Sequence, residues 1–165
     1  MSLNIVGIKA AFKTVLDAAN TTTASVDLSL SLSCGRINTI ATKSPNSDMF
    51  GSDVLPAIAI FTDRKEVTMQ DIVRDPRLAK RKATVDFSVA GIIWNSDYST
   101  IEGNSADDDI EKLMENIEDV LRDNPTLNGT VLSQHPTDVT YHNLSLSEEQ
   151  HYKVGIATFQ CVKYY

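Results

Sequence analysis

Residues 151–165 read HYKVGIATFQCVKYY. Tyr152, Val154, Ile156, Ala157, Phe159, Cys161 and Val162 fall on both parities, so this long stretch is apolar on both faces. That is the pattern of a central strand covered on both sides. A central strand needs neighbours. The best is TVDFSVAGIIW, 84–94, with Val85, Phe87 and Val89 on one face. LPAIAIF supplies another strand over 55–61, where Pro56 near the start is tolerable. VDLSLSLSC, 26–34, alternates strictly through Val26, Leu28, Leu30, Leu32 and Cys34, which predicts a half-buried strand with serine outside. VTYH, 139–142, predicts a short strand, and TDRKE, 62–66, a turn.

Two helices accompany the strands. From Ile5, apolar residues recur at Ile8, Phe12, Val15, Leu16 and Ala19, which is one buried helical face ending near Asn20. The second is SADDDIEKLMENIEDVLRD, 105–123, with Ile110, Leu113, Met114, Ile117 and Leu121 on one face. Ser105 followed by Asp108 has the form of an N-cap, and Asp107, Asp108, Asp109 and Glu111 lie where the helix dipole favours anions. NPTLNG, 124–129, stops it with a proline and an Asn-Gly turn. The expected fold is α+β: a mainly antiparallel sheet carrying two helices. One domain spans 1–165, with a loop or extended arm at 35–53 and a basic connection at 62–82. Within the latter, MQDIVRDPRLAKRK (69–82) predicts a helical turn around Asp71 and then loop, because Pro76 breaks a helix.

Composition narrows the function. The chain has 165 residues, 42% hydrophobic and 22% charged, with a net charge of −7, which suits a packed globular domain. MSLNIVGIKAAF shows no charged region leading into an apolar block, so no secretory signal is expected. Cys34 and Cys161 match no metal spacing and are expected reduced, in cytoplasm or in a particle assembled there. From Ser96 onward thirteen acids face Lys112, Arg122, Lys153 and Lys163, whereas Arg74–Lys82 (RDPRLAKRK) holds five bases and one acid. An acidic chain with one basic patch is a poor nucleic-acid binder. Opposite patches suit head-to-tail contact between identical copies, although a solvated basic loop reads equally well.

His135, His142 and His151 lie within SQHPTDVTYHNLSLSEEQH, 133–151. If two strands pair there, His142 and His151 stand opposite each other, but a zinc site needs more ligands than this pair. Packing or surface histidines are the simpler reading. There is no G-x-S-x-G elbow and no GxxxxGK[ST] or GxGxxG loop. The carboxylates Asp108, Glu111, Glu115, Glu118 and Asp119 read as a solvated helix face rather than an acid–base pair. Tyr152, Phe159, Tyr164 and Tyr165 read as sheet packing rather than a base-stacking platform. No enzyme, cofactor or metal is expected.

The order of amphipathic helix, LPAIAIF, a basic connection, TVDFSVAGIIW, the acidic helix DIEKLMENIEDVLRD, NPTLNGTV and a closing long strand resembles the tail terminator proteins of long-tailed bacteriophages. These are also called tail completion or tail-to-head joining proteins. The similarity covers most of the chain as a pattern and is greatest over Ile110–Val131. It implies a non-enzymatic virion protein: a six-membered ring that caps the tail tube, ends its polymerisation and meets the head connector, while DNA passes through the lumen unbound. The stretch 21–52 is longer and richer in serine than the family pattern, and 62–82 is longer and more basic. Beside the resemblance, charge suggests a subunit interface in which Arg74, Arg77, Lys80, Arg81 and Lys82 of one copy meet Glu115, Glu118 and Asp119 of the next. The other readings are a neck or baseplate component, a small metal-dependent enzyme using the C-terminal histidines, and a module binding a peptide strand at LPAIAIF.

Overall fold

A computed structural model describes residues 3–69, 81–95 and 105–165. Among them the chain forms α1 (Ile5–Ala19), β1 (Thr39–Ala41), a 3-10 turn (Ser47–Phe50), β2 (Ala57–Met69), β3 (Arg81–Trp94), α2 (Ser105–Arg122), β4 (Ser133–Ser145) and β5 (His151–Tyr164). The sheet order is β1-β2-β3-β5-β4. All neighbours are antiparallel except the short β1–β2 pair. This is an α+β fold with both helices on one face of the sheet. The basic stretch Arg74–Lys80 and the helical turn expected around Asp71 lie outside the described residues.

Helix α1 starts where Asn4 Oδ1 accepts the Gly7 N–H at 2.8 Å, satisfying one of the otherwise unpaired first-turn donors. The expected stripe, Ile8, Phe12, Val15, Leu16 and Ala19, is the buried one. Phe12 packs on Phe87 and Phe159 with ring centroids at 5.4 and 6.0 Å. Each such side chain, fully buried, contributes about 1.5–3 kcal/mol. Helix α2 approaches the sheet at two register partners, Gly91 and Gly155. A Cβ on Gly155 would lie 2.5 Å from Met114 Cγ, and one on Gly91 would lie 2.8 Å from Leu113 Cδ2. The glycine pair is therefore the notch into which α2 fits. The turn after α2 has Leu127, Asn128 and Gly129 at positive φ, as the Asn-Gly pair leads one to expect.

Four local expectations are corrected. The doubly buried central strand is β3, where every residue from Phe87 to Ile93 is buried; β5 lies inside the sheet but alternates, burying Gly155, Ala157, Phe159 and Cys161 on the helix side. The covering on the second face comes from the 47–55 stretch, which lays Met49 and Leu55 on Ala57, Ala59, Ala90, Ile92 and Tyr152. It stops short of the far end of β5. TDRKE is not a turn: β2 continues to Met69 because its ladder with β3 carries it past an irregularity between Thr62 and Arg64. VTYH is only the middle of β4, which runs over thirteen residues and pairs along β5 on both sides of an irregularity between Pro136 and Asp138.

The largest correction concerns VDLSLSLSC, which forms consecutive turns instead of a strand. Asp27 Oδ1 accepts the Ser29 N–H at 3.0 Å, Leu30 N–H bonds Asp27 O at 3.0 Å, and Ser31 has φ 61. Leu28 is buried while Leu30 is 56% exposed, so the alternation is not used as a pleat. The remaining backbone groups find side-chain partners on α2. Asn116 Nδ2 donates to Leu28 O at 3.1 Å and to Leu30 O at 3.0 Å. Asp109 accepts the N–H groups of Ser33 and Cys34 at 2.8 and 2.9 Å.

Candidate functional site

The described residues bring together no obvious reaction centre. The ladder pairs His142 with Val154 and His151 with Ser145, so these two imidazoles do not face each other as expected. Each instead has a local partner: His142 Nε2 lies 3.1 Å from Thr140 Oγ1, and His151 Nδ1 lies 2.8 Å from Ser145 Oγ. His135 pairs with Gln160 near the other end of β4. Among the described residues no three His, Cys, Asp or Glu side chains are grouped to hold a metal ion, and no helix is long and apolar enough to cross a membrane. A cleft of about 290 Å³ lies between the C-terminal ends of the helices, against Val15, Ala19, Val120, Asp123 and Asn124. Smaller clefts of about 190 and 180 Å³ flank Trp94. All three fall below the usual range for small-molecule sites, roughly 300–1,000 Å³.

Cys34 is exposed as a residue, yet its thiol is a poor nucleophile. Burial of the sulfur and the neighbouring Asp109 carboxylate push its pKa up to about 12. Burial and Asp86 do the same to Cys161, also to about 12. Reactive thiols need the opposite environment.

What the surface does carry is charge on separate elements. The acids at i, i+4 and i+7 of α2, Glu111, Glu115 and Glu118, form one ridge; Glu111 and Glu115 are exposed and Glu118 is half-buried. The ridge faces β4. Partial burial first, then Glu111, Glu118 and Glu115, raise the pKa of the Tyr141 hydroxyl. Asp119 is turned to Arg122, one turn on, at 2.8 Å. Asp107 pairs with Lys153 of β5.

The basic residues lie on other strands, at the start of the middle strand β3 and on β2. Arg81 is exposed at the start of β3, where its backbone exchanges two 3.0 Å hydrogen bonds with Tyr165. Lys82 beside it is half-buried, and Arg64 and Lys65 are exposed on β2. Arg64 reaches Glu66 at 3.2 Å, an exposed pair of little energetic weight. Among the described residues no ion pair joins Arg81 or Lys82 to α2. Arg74, Arg77 and Lys80 lie outside the described residues.

Sequence reasoning did not single out Tyr141, Arg64 or Lys65. Tyr141 lies within the expected strand VTYH, but its place beside the α2 acids depends on how helix and sheet pack; the others are hidden by the reading of TDRKE as a turn.

The fold thus defines an α+β protein in which the buried polar side chains Ser29, Asp109, Asn116 and Gln134 bind backbone groups of loops and turns. No protein-family model matches the sequence, and no characterised protein matches it in sequence. Among solved structures, a chain from the virion of a native gene transfer agent particle is similar, with 11% identity over 98% of each chain and a TM-score of 0.41.

Proposed function

We propose that this chain is a structural virion protein, a tail terminator whose copies form a ring, a hexamer by the family pattern. The ring caps the tail tube, ends its polymerisation and offers a surface to the head connector at the head-proximal end of the tail. DNA passes through without being gripped. The observation that carries the reading is the separation of charge: an acidic ridge on α2 beside β4, and basic residues on β2 and at the start of β3. Complementary patches on different sides of one chain favour contact between unlike surfaces of identical copies, which closes into rings when the rotation permits.

In this reading Arg74, Arg77, Lys80, Arg81 and Lys82 of one copy meet Glu115, Glu118 and Asp119 of the next. Electron microscopy of the concentrated protein, alone and with isolated tail tubes, tests it. Rings, or caps at one tube end that block further growth, are expected at low salt and should weaken as salt screens the contact. Changing Arg77, Lys80, Arg81 and Lys82 together to glutamate should abolish ring formation; rings that persist would remove this interface. A protein that neither forms rings nor binds tubes would remove the function.

A further inference from the structure

The sheet has two unfinished edges. Among the described residues β4 is an edge strand of thirteen residues, paired only to β5. At the other side β1 covers only Ala57–Ala59 of β2, so β2 from Ile60 onward has no strand beyond it among the described residues. Unpaired N–H and C=O rows of this kind are templates for another strand, and proteins blunt the ones that must stay free with proline, bulges or charge. The first half of β4 is blunted, by Pro136 and by the irregularity between Pro136 and Asp138. The second half, Val139–Ser145 (VTYHNLS), has no proline, no lysine and no irregularity, and Tyr141, His142 and Asn143 are exposed.

Strand sense and charge decide which edge fits it. β2, β3, β5 and β4 alternate in direction, so β4 runs opposite to β2. Rotating a copy about an axis along the strands brings β4 beside the next copy's β2, in antiparallel sense. In sequence, residues 60–69 hold Arg64 and Lys65 against Asp63 and Glu66, and residues 70–82, which lead on into β3, hold five bases against two acids, whereas the β4 side is flanked by Glu111, Glu115 and Glu118. Two β4 edges brought together would repel through those acids, whereas Arg64 and Lys65 on β2 and Arg81 at the start of β3 are exposed bases that can face them. Charge therefore favours the unlike pair over two β4 edges.

We propose that Val139–Ser145 of β4 pairs antiparallel with the outer edge of β2 beyond its irregularity, Arg64–Met69, of the next copy, so that neighbouring sheets join into one continuous ring. This rests on the ring reading above and specifies how the ring is held. The test is hydrogen–deuterium exchange read by mass spectrometry on the full chain, comparing monomer with the assembled state alone and on tail tubes. In rings, amides of both 64–69 and 139–145 should exchange at least tenfold more slowly than in the monomer.

A charge swap identifies the edges independently. Lys65→Glu alone and Glu115→Lys alone should each prevent closure, while a one-to-one mixture of the two variants should form mixed contacts. Equal melting temperatures would confirm that both variants fold. Rings whose two edges exchange as fast as in the monomer overturn the pairing and leave the ring function standing. Protection of β4 alone, appearing only with tubes, overturns it too, because the occupant is then a tube subunit. Absence of any assembly overturns the ring reading and the pairing with it.

Discussion

Asp109 and Glu111 stand two residues apart on α2, about 200° around the helix axis, and burial separates their roles. Asp109 is 2% exposed and holds two backbone N–H groups of the 27–37 segment. Its neighbour Asn116, 8% exposed, holds two carbonyls of the same segment. Glu111, Glu115 and Glu118 project toward β4 and solvent, and their effect within one copy is to raise the pKa of Tyr141. One helix therefore fastens the fold with the polar groups along one flank and presents charge with those along another. An acid on this helix has no fixed meaning until its side is known.

That contrast can be broken by substitution. Asp109→Ala should cost the most, about 3 kcal/mol in urea unfolding, because two donors to a charged acceptor lose their partner. The same variant should also speed alkylation of Cys34 at pH 8. Burial and Asp109 hold the thiol at about 12, so the folded wild type carries little thiolate there, and both causes weaken when the loop is released. Stability equal to wild type would show that the Asp109 bonds add nothing net.

Gly155→Val should follow at about 2 kcal/mol, the scale of an overpacked core, since its Cβ has no room beside Met114. It sharpens the comparison by asking how much of α2's attachment is packing rather than hydrogen bonding. The smallest effect belongs to the outer ridge. Changing Glu111, Glu115 and Glu118 together to glutamine should move monomer stability by less than about 0.5 kcal/mol. It should lower the Tyr141 pKa in a spectrophotometric titration, since three negative charges that disfavour the phenolate are gone. Assembly should suffer most in that variant, so a stable monomer that still forms rings would count against the interface.

The legible parts of the sequence share a physical basis. The buried faces of α1 and α2 repeat with the helical period, and Ile8, Phe12, Leu16, Leu113 and Ile117 are all at 0% exposure. Val85, Phe87 and Val89 alternate as strand residues and are buried toward the helices. VDLSLSLSC alternates just as well and forms no strand. Periodicity reports polarity along the chain, but it does not say which partner will take the backbone N–H and C=O groups. Here Asp109 and Asn116, 75 or more residues downstream, supply partners that make a sheet ladder unnecessary. The histidines failed in the same way, because facing positions depend on strand register, and register is a property of the pair.

By itself, then, the sequence determined the two amphipathic helices, the principal strands, the turn at Asn128–Gly129 and the α+β class, because each follows from interactions between near neighbours in the chain. It also carried the charge asymmetry, which is a matter of composition. Only the tertiary structure decided that β3 is the doubly buried strand, that the serine-rich segment hangs on α2, and that β4 and outer β2 are the sheet's edges among the described residues. Those outcomes depend on which segments meet across long sequence separations, and such meetings are settled by packing and hydrogen-bond satisfaction over the whole fold.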